Sequence, residues 1–302
     1  MKILFITYTR IGDAVLSSGV LKHLIDRYPD ARFTVACGPL AASLFDAVPR
    51  LDDVIVMNKQ PFDGHWFSLW RTVRAVKWDL VVDLRRSLVS YFIRSRKRAV
   101  LGVTDNKIHR ISLLSSVLGL VEPAIPFLYT MPKNEEASIR LIPEGSPVLA
   151  LAPMAADKNK TWPLERFIAL ARRLLGAGGL CDGWRVAVFG DHDDAEGAGP
   201  ILEALNDYKP IFMFGQMDLL TVYSALKRCS AFIGNDSGLS HLAAAANLTT
   251  LAVFGPTDPV CYAPYGENCG FVRADADNPK ISDLEMENVE ASFRGLLAAV
   301  AN

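Results

Sequence analysis

Short runs rich in valine, isoleucine, leucine and phenylalanine alternate along the chain with longer amphipathic stretches. Runs that are apolar throughout, rather than at every second position, mark strands covered on both faces by crossover helices, so the pattern predicts an α/β protein with parallel sheets. In the first half the predicted strands are "KILFIT" from Lys2, "RFTVAC" from Arg32, "DVIVM" from Asp53, "WDLVVDL" from Trp78 and "RAVLGV" from Arg98. A helix follows Asp13, where Ala14, Leu16, Val20, Leu21, Leu24 and Ile25 recur at three- and four-residue spacing until Pro29 stops it. Trp66, Phe67, Leu69 and Trp70 also have helical spacing and fit a core-facing stripe, or a contact with lipid or a sugar face.

Between Val121 and Pro147 the texture changes, with Pro123, Pro126, Pro132, Pro143 and Pro147 set among charges. This reads as a junction, dividing the chain into domains at 1–145 and 146–302. The alternation then restarts with "PVLALAP", "WRVAVFG", "PIFMFG", "SAFIGN" and "TTLAVFG". Helical spacing from Ser282 to Asn302 predicts a terminal helix able to pack on either domain. Two tandem Rossmann-like domains would face a central cleft, and such sheets bind ligands beyond the carboxyl ends of their strands.

The chain has 302 residues, 50% of them hydrophobic, which is enough for two ordinary cores. Lysine plus arginine (32) balances aspartate plus glutamate (33), so no global field favours nucleic acid. Five cysteines without a C-x-x-C pair argue against a disulfide framework or zinc knuckle and fit a reducing cytoplasm. The apolar run after Lys2 is too short for a signal-peptide core, and no stretch reaches the length of a spanning helix, so any membrane role is expected to be peripheral.

The stretch "GNDSGLSHLAAAA", residues 234–246, places Asp236, Ser237 and Gly238 between a strand and a helix. The first turn of a helix leaves backbone N–H groups unpaired at its electropositive end, so a phosphate fits there. Gly238 would let a bulky anion approach closely, and His241 would lean back toward it. Capping by Asp236 or Ser237, with His241 an ordinary partly buried histidine, uses the same geometry and remains an alternative on these residues alone.

The run from Ile233 to Pro259, "IGNDSGLSHLAAAANLTTLAVFGPTDP", resembles the C-terminal motif of family 9 glycosyltransferases, the lipopolysaccharide heptosyltransferases. Three further segments resemble that family in the same order: "TRIGDAVLSSGVLKHLIDRYPDARFTV", "WDLVVDLRRSLVSYFIRSRKRAVLGV" and "LAPMAADKNKTWPLERFIALARRL". The resemblance covers most of the chain. It implies the GT-B fold, an N-terminal acceptor domain and a C-terminal nucleotide-sugar domain. It also implies inverting transfer of heptose from ADP-heptose to a lipid-linked lipopolysaccharide core acceptor, without a catalytic metal or other cofactor, at the cytoplasmic face of the inner membrane.

Residue by residue, Asp13 in "TRIGD" resembles the family's general base, a role that suits a carboxylate after the first strand. Capping of the following helix, or complementing its dipole, is the structural alternative. Gly12 would permit the turn that presents Asp13, and Thr9 matches a hydroxyl near the donor phosphates. Lys160 in "NKTWP" matches the lysine set against the diphosphate, where a compact ammonium suits the charge building on departing ADP. Asp236, Ser237, Gly238 and His241 complete the donor set. Arg10, Arg85 and Arg86 are the acceptor-binding candidates, and Arg94, Arg96, Lys97 and Arg98 extend them into a basic group that suits a phosphorylated lipid or a solvated helix end leading into a strand. The chain departs from the family at Met154, where relatives often carry glycine, at Ala155 and Ala156, which lack hydroxyls, and at Ser18 and Gly19, where a proline often stands.

"GDHDDAEG", from Gly190, gathers carboxylates and a histidine, but reads as a solvated loop and helix start rather than a metal site. No dinucleotide fingerprint or P-loop follows a predicted strand. Readings that keep the fold but change the activity are a glycosyltransferase using another nucleotide sugar, a non-hydrolysing sugar-nucleotide epimerase, and a non-catalytic nucleotide-sugar-binding protein.

Overall fold

Two parallel sheets carry the fold, one in each compact unit, the first unit spanning Met1–Met131 and the second Pro132–Asn302. The computed structural model describes residues 1–103, 107–215, 217–274 and 280–301, apart from the side chains of His192 and Ala301. In the first unit the strands are β1 (Lys2–Ile6), β2 (Arg32–Cys37), β3 (Leu51–Val56), β4 (Trp78–Asp83) and β5 (Ser95–Val100), in the order β3-β2-β1-β4-β5. The helices are α1 (Ile11–Arg27), α2 (Gly64–Val73) and α3 (Arg110–Ser115). Ile3, Leu4, Phe5 and Ile6 of the central β1 are wholly buried, as expected of a strand covered on both faces.

The edge strands begin earlier than their apolar residues indicate. β3 includes Leu51 and Asp52, and β5 includes Ser95, Arg96 and Lys97. Arg96, Lys97 and Arg98 therefore belong to an exposed edge strand and not to a helix end, and Arg96 pairs with Asp79 across the ladder at 3.5 Å. Charge on an open edge discourages pairing with another chain.

Ser18 and Gly19 have a packing role on α1. A Cβ on Gly19 would lie 2.1 Å from the Ala124 carbonyl oxygen and 2.5 Å from that of Ile125, so α1 lies directly against this returning backbone. Ser18 Oγ accepts from the Phe127 N–H at 3.0 Å and fixes the same crossing.

The second unit opens with α4 (Pro132–Leu141) and continues β6 (Val148–Ala152), α5 (Leu164–Leu175), β7 (Arg185–Phe189), α6 (Gly199–Ala204) and β8 (Ile211–Met213). It then forms α7 (Leu219–Leu226), β9 (Ala231–Asn235), α8 (Gly238–Ala245), β10 (Thr249–Phe254), α9 (Pro259–Tyr262), β11 (Cys269–Arg273) and α10 (Met286–Ala301). The sheet order is β11-β10-β9-β6-β7-β8.

The units divide after Met131 rather than near residue 145, because α4 packs on α7: the buried Asn134 amide donates to Asp218 Oδ1 and Thr221 Oγ1, each at 3.0 Å. The terminal helix α10 packs on β10, β11 and α5 of the second unit and buries Val289 and Phe293 completely. Trp162 is the largest side chain of this core, wholly buried edge-on to Phe167 with its indole N–H donating to the Leu284 carbonyl at 2.9 Å. Among the described residues, no helix is long and apolar enough to cross a membrane.

Gly19→Ala tests the crossing in the first unit. Helix propensity alone predicts a gain of about 1 kcal/mol. The backbone at Ala124 and Ile125 predicts instead a net loss of about 1–3 kcal/mol from overpacking, read as a lower denaturant midpoint for that unit.

Candidate functional site

Both sheets have a topological switch point, the place where successive connections leave toward opposite edges and open a crevice at the strands' carboxyl ends. In the first sheet it lies between β1 and β4, and in the second between β6 and β9. The sequence-selected residues fall beside these two points.

In the second unit, β9 ends on Asn235, whose wholly buried amide ties three segments together. Its Nδ2 donates to the Pro153 carbonyl after β6 at 2.8 Å, and its Oδ1 accepts from the Trp162 N–H at 3.0 Å. Pro153 leads into the turn that carries Lys160, and Trp162 leaves it. Asp236, 5% exposed, receives the Lys160 ammonium at 2.7 Å. Asn235 thus sets the loops, and Asp236 sets the lysine.

Ser237 occupies the N-cap position of α8 with extended backbone (φ −144°, ψ 176°), yet its side chain makes no capping hydrogen bond. Its Oγ is buried and has no hydrogen-bond partner among the described residues. Asp236 does not cap either, since its carboxylate serves Lys160. Gly238 starts the helix, and the Ser240 hydroxyl returns to the Ser237 carbonyl at 2.7 Å. His241 sits one position beyond the first three residues of α8 and is 6% exposed, so it is a buried side chain at this helix end rather than an open one. The structure therefore brings Lys160, Asp236, Ser237, Gly238 and His241 together in one unit. A Cβ on Gly197 would lie 3.9 Å from the Met154 methyl, which shows that this bulkier residue reaches toward the turn after β7.

In the first unit, Asp13 lies within the first turn of α1 and not in a loop, and Gly12 is helical rather than the corner of a tight turn. Arg10 is the exposed N-cap residue and gives no side-chain cap. Thr9 is exposed at the bend after β1 and abuts Gly38, where a Cβ would come within 2.6 Å of the Thr9 side chain.

Two residues outside the sequence-selected set organise this cluster. Arg110, at the start of α3, points its Nε at Asp13 Oδ1 across 3.8 Å, with both side chains largely sheltered. Its guanidinium also lies 4.9 Å from the Tyr8 ring centroid, and that of Arg85 lies 5.7 Å from the same ring and 5.3 Å from Trp66. Burial pushes the Tyr8 phenol up to about 12, so it stays protonated and donates to the Leu84 carbonyl at 2.6 Å. Tyr8 therefore serves as a neutral face between two arginines.

Asp83, the last residue of β4, is buried and shapes the turn carrying Arg85 and Arg86. Its carboxylate accepts from the Arg85 and Ser87 N–H groups at 2.8 Å each and from Ser87 Oγ at 2.7 Å. Desolvation raises its proton affinity while these bonds oppose the rise. Arg86 is exposed, with its backbone in the left-handed region at φ 54°. "GDHDDAEG" forms short 3₁₀ turns in which the Asp191 N–H donates to Asp194 Oδ2. The His192 side chain lies outside the described residues, and among those described no group of three or more histidine, cysteine, aspartate and glutamate side chains is placed to hold a metal ion.

Arg110 was hidden in the sequence because it lies far from Asp13 along the chain in a stretch without a local motif. Asn235 was visible inside "GND", but nothing in its spacing told which loops it would hold.

A family model described as glycosyltransferase family 9 (heptosyltransferase) matches residues 108–293. The chain is 25% identical over 313 residues to lipopolysaccharide heptosyltransferase 2 of Salmonella typhimurium, covering 90% of this chain and 88% of the relative. It is similar in structure to the family 9 glycosyl transferase of Veillonella parvula, with a TM-score of 0.82 at 21% identity over 98% of this chain and 97% of that one. It is also similar to the E. coli heptosyltransferase WaaC solved with ADP, with a TM-score of 0.75 at 19% identity over 98% and 100% of the two chains. These likenesses show that the two parallel-sheet units are those of the GT-B fold.

Asn235→Ala would remove both loop contacts and leave the Pro153 carbonyl and the Trp162 N–H unsatisfied in the core. The expected loss is about 2–4 kcal/mol in the unfolding of the second unit, since each orphaned buried group costs about 1–3 kcal/mol. Asn235→Asp keeps the acceptor for Trp162 but faces the Pro153 carbonyl with an oxygen, so it too should destabilise, and more strongly above the carboxylate's own titration than below it.

Proposed function

Because the chain belongs to glycosyltransferase family 9, the heptosyltransferases, we propose that it transfers heptose from ADP-heptose to a lipid-linked oligosaccharide of the lipopolysaccharide inner core. The observation that carries the donor half is the amide end of α8 without a side-chain cap, with a buried Ser237 hydroxyl that has no partner among the described residues and the Lys160 ammonium anchored nearby by Asp236. A diphosphate is a ligand for which helix N–H groups, a hydroxyl donor and an ammonium are all suited.

In this reading the acceptor hydroxyl oxygen attacks the anomeric carbon of the donor in one displacement, which inverts that centre. Asp13 takes the hydroxyl proton as the new C–O bond forms. The bond from the anomeric carbon to the phosphate oxygen breaks, and its electron pair departs on ADP. Lys160 and the first-turn amides of α8 meet the charge that grows there, in place of a metal ion. Arg110 is a positioning residue: its ion pair holds the Asp13 carboxylate, and its stacking on Tyr8 limits where the guanidinium can go. Gly12 lies on the same helical turn as Asp13 and Thr9 at the bend just before it, and Arg10, Arg85 and Arg86 supply cations for a phosphorylated acceptor. The protein would work as a peripheral enzyme at the cytoplasmic membrane face, where such an acceptor is presented.

A transfer assay with ADP-heptose and a truncated lipopolysaccharide acceptor tests the assignment. Asp13→Asn should lower kcat by about 10²–10⁴-fold while ADP still raises the melting temperature as in the wild type. Normal turnover by Asp13→Ala would remove Asp13 from the role. Lys160→Ala should weaken ADP binding and kcat together, and a chelator should leave the wild-type rate unchanged.

The donor base and sugar are read separately by thermal shift across a panel of nucleotide sugars. A ligand at a hundred times its Kd stabilises the folded state by about 2.7 kcal/mol. ADP-heptose and ADP are expected to do so while UDP sugars do not; stabilisation by a UDP sugar alone would exclude the proposed donor.

A further inference from the structure

The first unit exposes a set of large apolar side chains on neighbouring elements. Phe62, in the turn before α2, is fully exposed, and Phe67 on α2 is 61% exposed. Leu88, Tyr91 and Phe92, on the short 3₁₀ turn after β4, are 73%, 61% and 71% exposed. A single exposed leucine needs no explanation, but five large apolar groups on adjoining elements do.

The elements are joined by direct contacts. On α2, Leu69 and Val73 face the core together with Trp66 and Trp70, which leaves Phe67, Arg71 and Arg74 on an outward stripe. Phe67 stacks on Trp70 at 5.5 Å, and the Trp70 indole N–H donates to the Phe92 carbonyl at 3.1 Å. That chain of contacts leads from the exposed edge of α2 to the exposed end of the turn. Val89 and Ile93 of this turn are buried in the same core, so Leu88, Tyr91 and Phe92 are the side chains it turns outward.

The charge around these groups is mostly positive, with the exposed Asp63 beside Phe62 as the exception. From Gly64 to Lys77 the chain carries Arg71, Arg74 and Lys77 and no carboxylate, and from Leu84 to Arg98 it carries Arg85, Arg86, Arg94, Arg96, Lys97 and Arg98 and again none. The flanking Asp79 already accepts from the Lys2 N–H and pairs with Arg96. Arg74 lies 4.6 Å over the Trp70 ring, which keeps its guanidinium at the margin of the apolar group.

We propose that this face of the first unit seats the protein on a membrane surface of anionic phospholipid, with Phe62, Phe67, Leu88, Tyr91 and Phe92 in the interfacial layer and the arginines against the headgroups. Aromatic rings with wet edges favour that layer, and each basic side chain near an anionic leaflet adds to binding. A second copy of the chain fits less well. In a two-fold interface the same patch meets itself, which would set arginines against arginines. The proposal locates the membrane contact of the functional reading above, yet it rests on its own residues and is measured without donor or acceptor.

The test is flotation of the full chain with vesicles of phosphatidylglycerol in phosphatidylethanolamine, against vesicles of phosphatidylcholine alone. The protein should partition onto the anionic vesicles and leave them as salt rises. Arg71→Gln with Arg74→Gln should lower the partition coefficient roughly thirtyfold. Phe67→Ser with Phe92→Ser should lower it at least about tenfold, whereas Val121→Ser with Ile139→Ser, exposed elsewhere, should leave it unchanged. Because the altered side chains are exposed, an unchanged melting temperature and unchanged transfer to a soluble truncated acceptor show that each variant is folded. Equal binding to phosphatidylcholine, no vesicle binding, or full binding by both patch variants would overturn the proposal. So would a concentration-dependent dimer dissolved by the same substitutions without vesicle binding, which would assign the face to a second copy. Vesicle binding by a wild-type protein that transfers no heptose would sink the transferase reading and leave this one standing.

Discussion

The buried amide of Asn235 is the contact on which the second unit's site depends. It spends its donor on the Pro153 carbonyl and its acceptor on the Trp162 N–H, so one side chain at the end of β9 fixes both ends of the turn that holds Lys160. The strands below supply the rigidity: Ala152 pairs with Gly234, where a Cβ would come within 2.9 Å of the Ala152 Cβ, so the two chain ends emerge close together. Only with the loops so fixed does the Lys160–Asp236 ion pair have a defined place beside α8. A buried carboxylate gains from such a partner because its desolvation is otherwise uncompensated.

The first unit solves the corresponding problem with cations and an aromatic ring. Asp83 folds the turn after β4 by accepting three hydrogen bonds, and that turn delivers Arg85 to Tyr8. Arg110 arrives from α3 and meets both Tyr8 and Asp13. Each cluster thus follows from strands β1 and β4, or β6 and β9, that neighbour each other at a switch point. The same topology therefore builds two polar sites of opposite character, one centred on a carboxylate and one on an ammonium and helix amides.

Much of this was legible in the chain and some was not, for identifiable reasons. Apolar runs found β1, β2, β4, β6 and β9 because strands buried on both faces tolerate little else. The edge strand β5 was read as starting late because its first residues are charged, and β11 went unseen because its "CGFVR" is half-buried and short. The proline-rich junction drew the boundary to 145, whereas the contact that decides it, Asn134 with Asp218 and Thr221, joins residues far apart in sequence. The motif "GNDSG" gave the helix end, but it left open which of its side chains caps. Asp13 was found with its alternative, the helix-dipole role, and its place in the first turn of α1 is compatible with that alternative as well. Arg110 could not be found by spacing at all, since its partner is reached only through the packing of α3 on α1.

The most informative departure from ordinary helix chemistry is what α8 leaves undone. A serine at the N-cap normally bonds the amides of the first turn and adds about 1 kcal/mol to stability. Here Ser237 stands in that position with the extended backbone a cap requires, and still does not use its hydroxyl, while the neighbouring Asp236 is committed to Lys160. An unsatisfied buried hydroxyl costs a further 1–3 kcal/mol or so. Among the described residues the missing cap and the unsatisfied hydroxyl both leave hydrogen-bond donors without a protein partner at the amide end of α8, and in the reading proposed above a diphosphate would satisfy them.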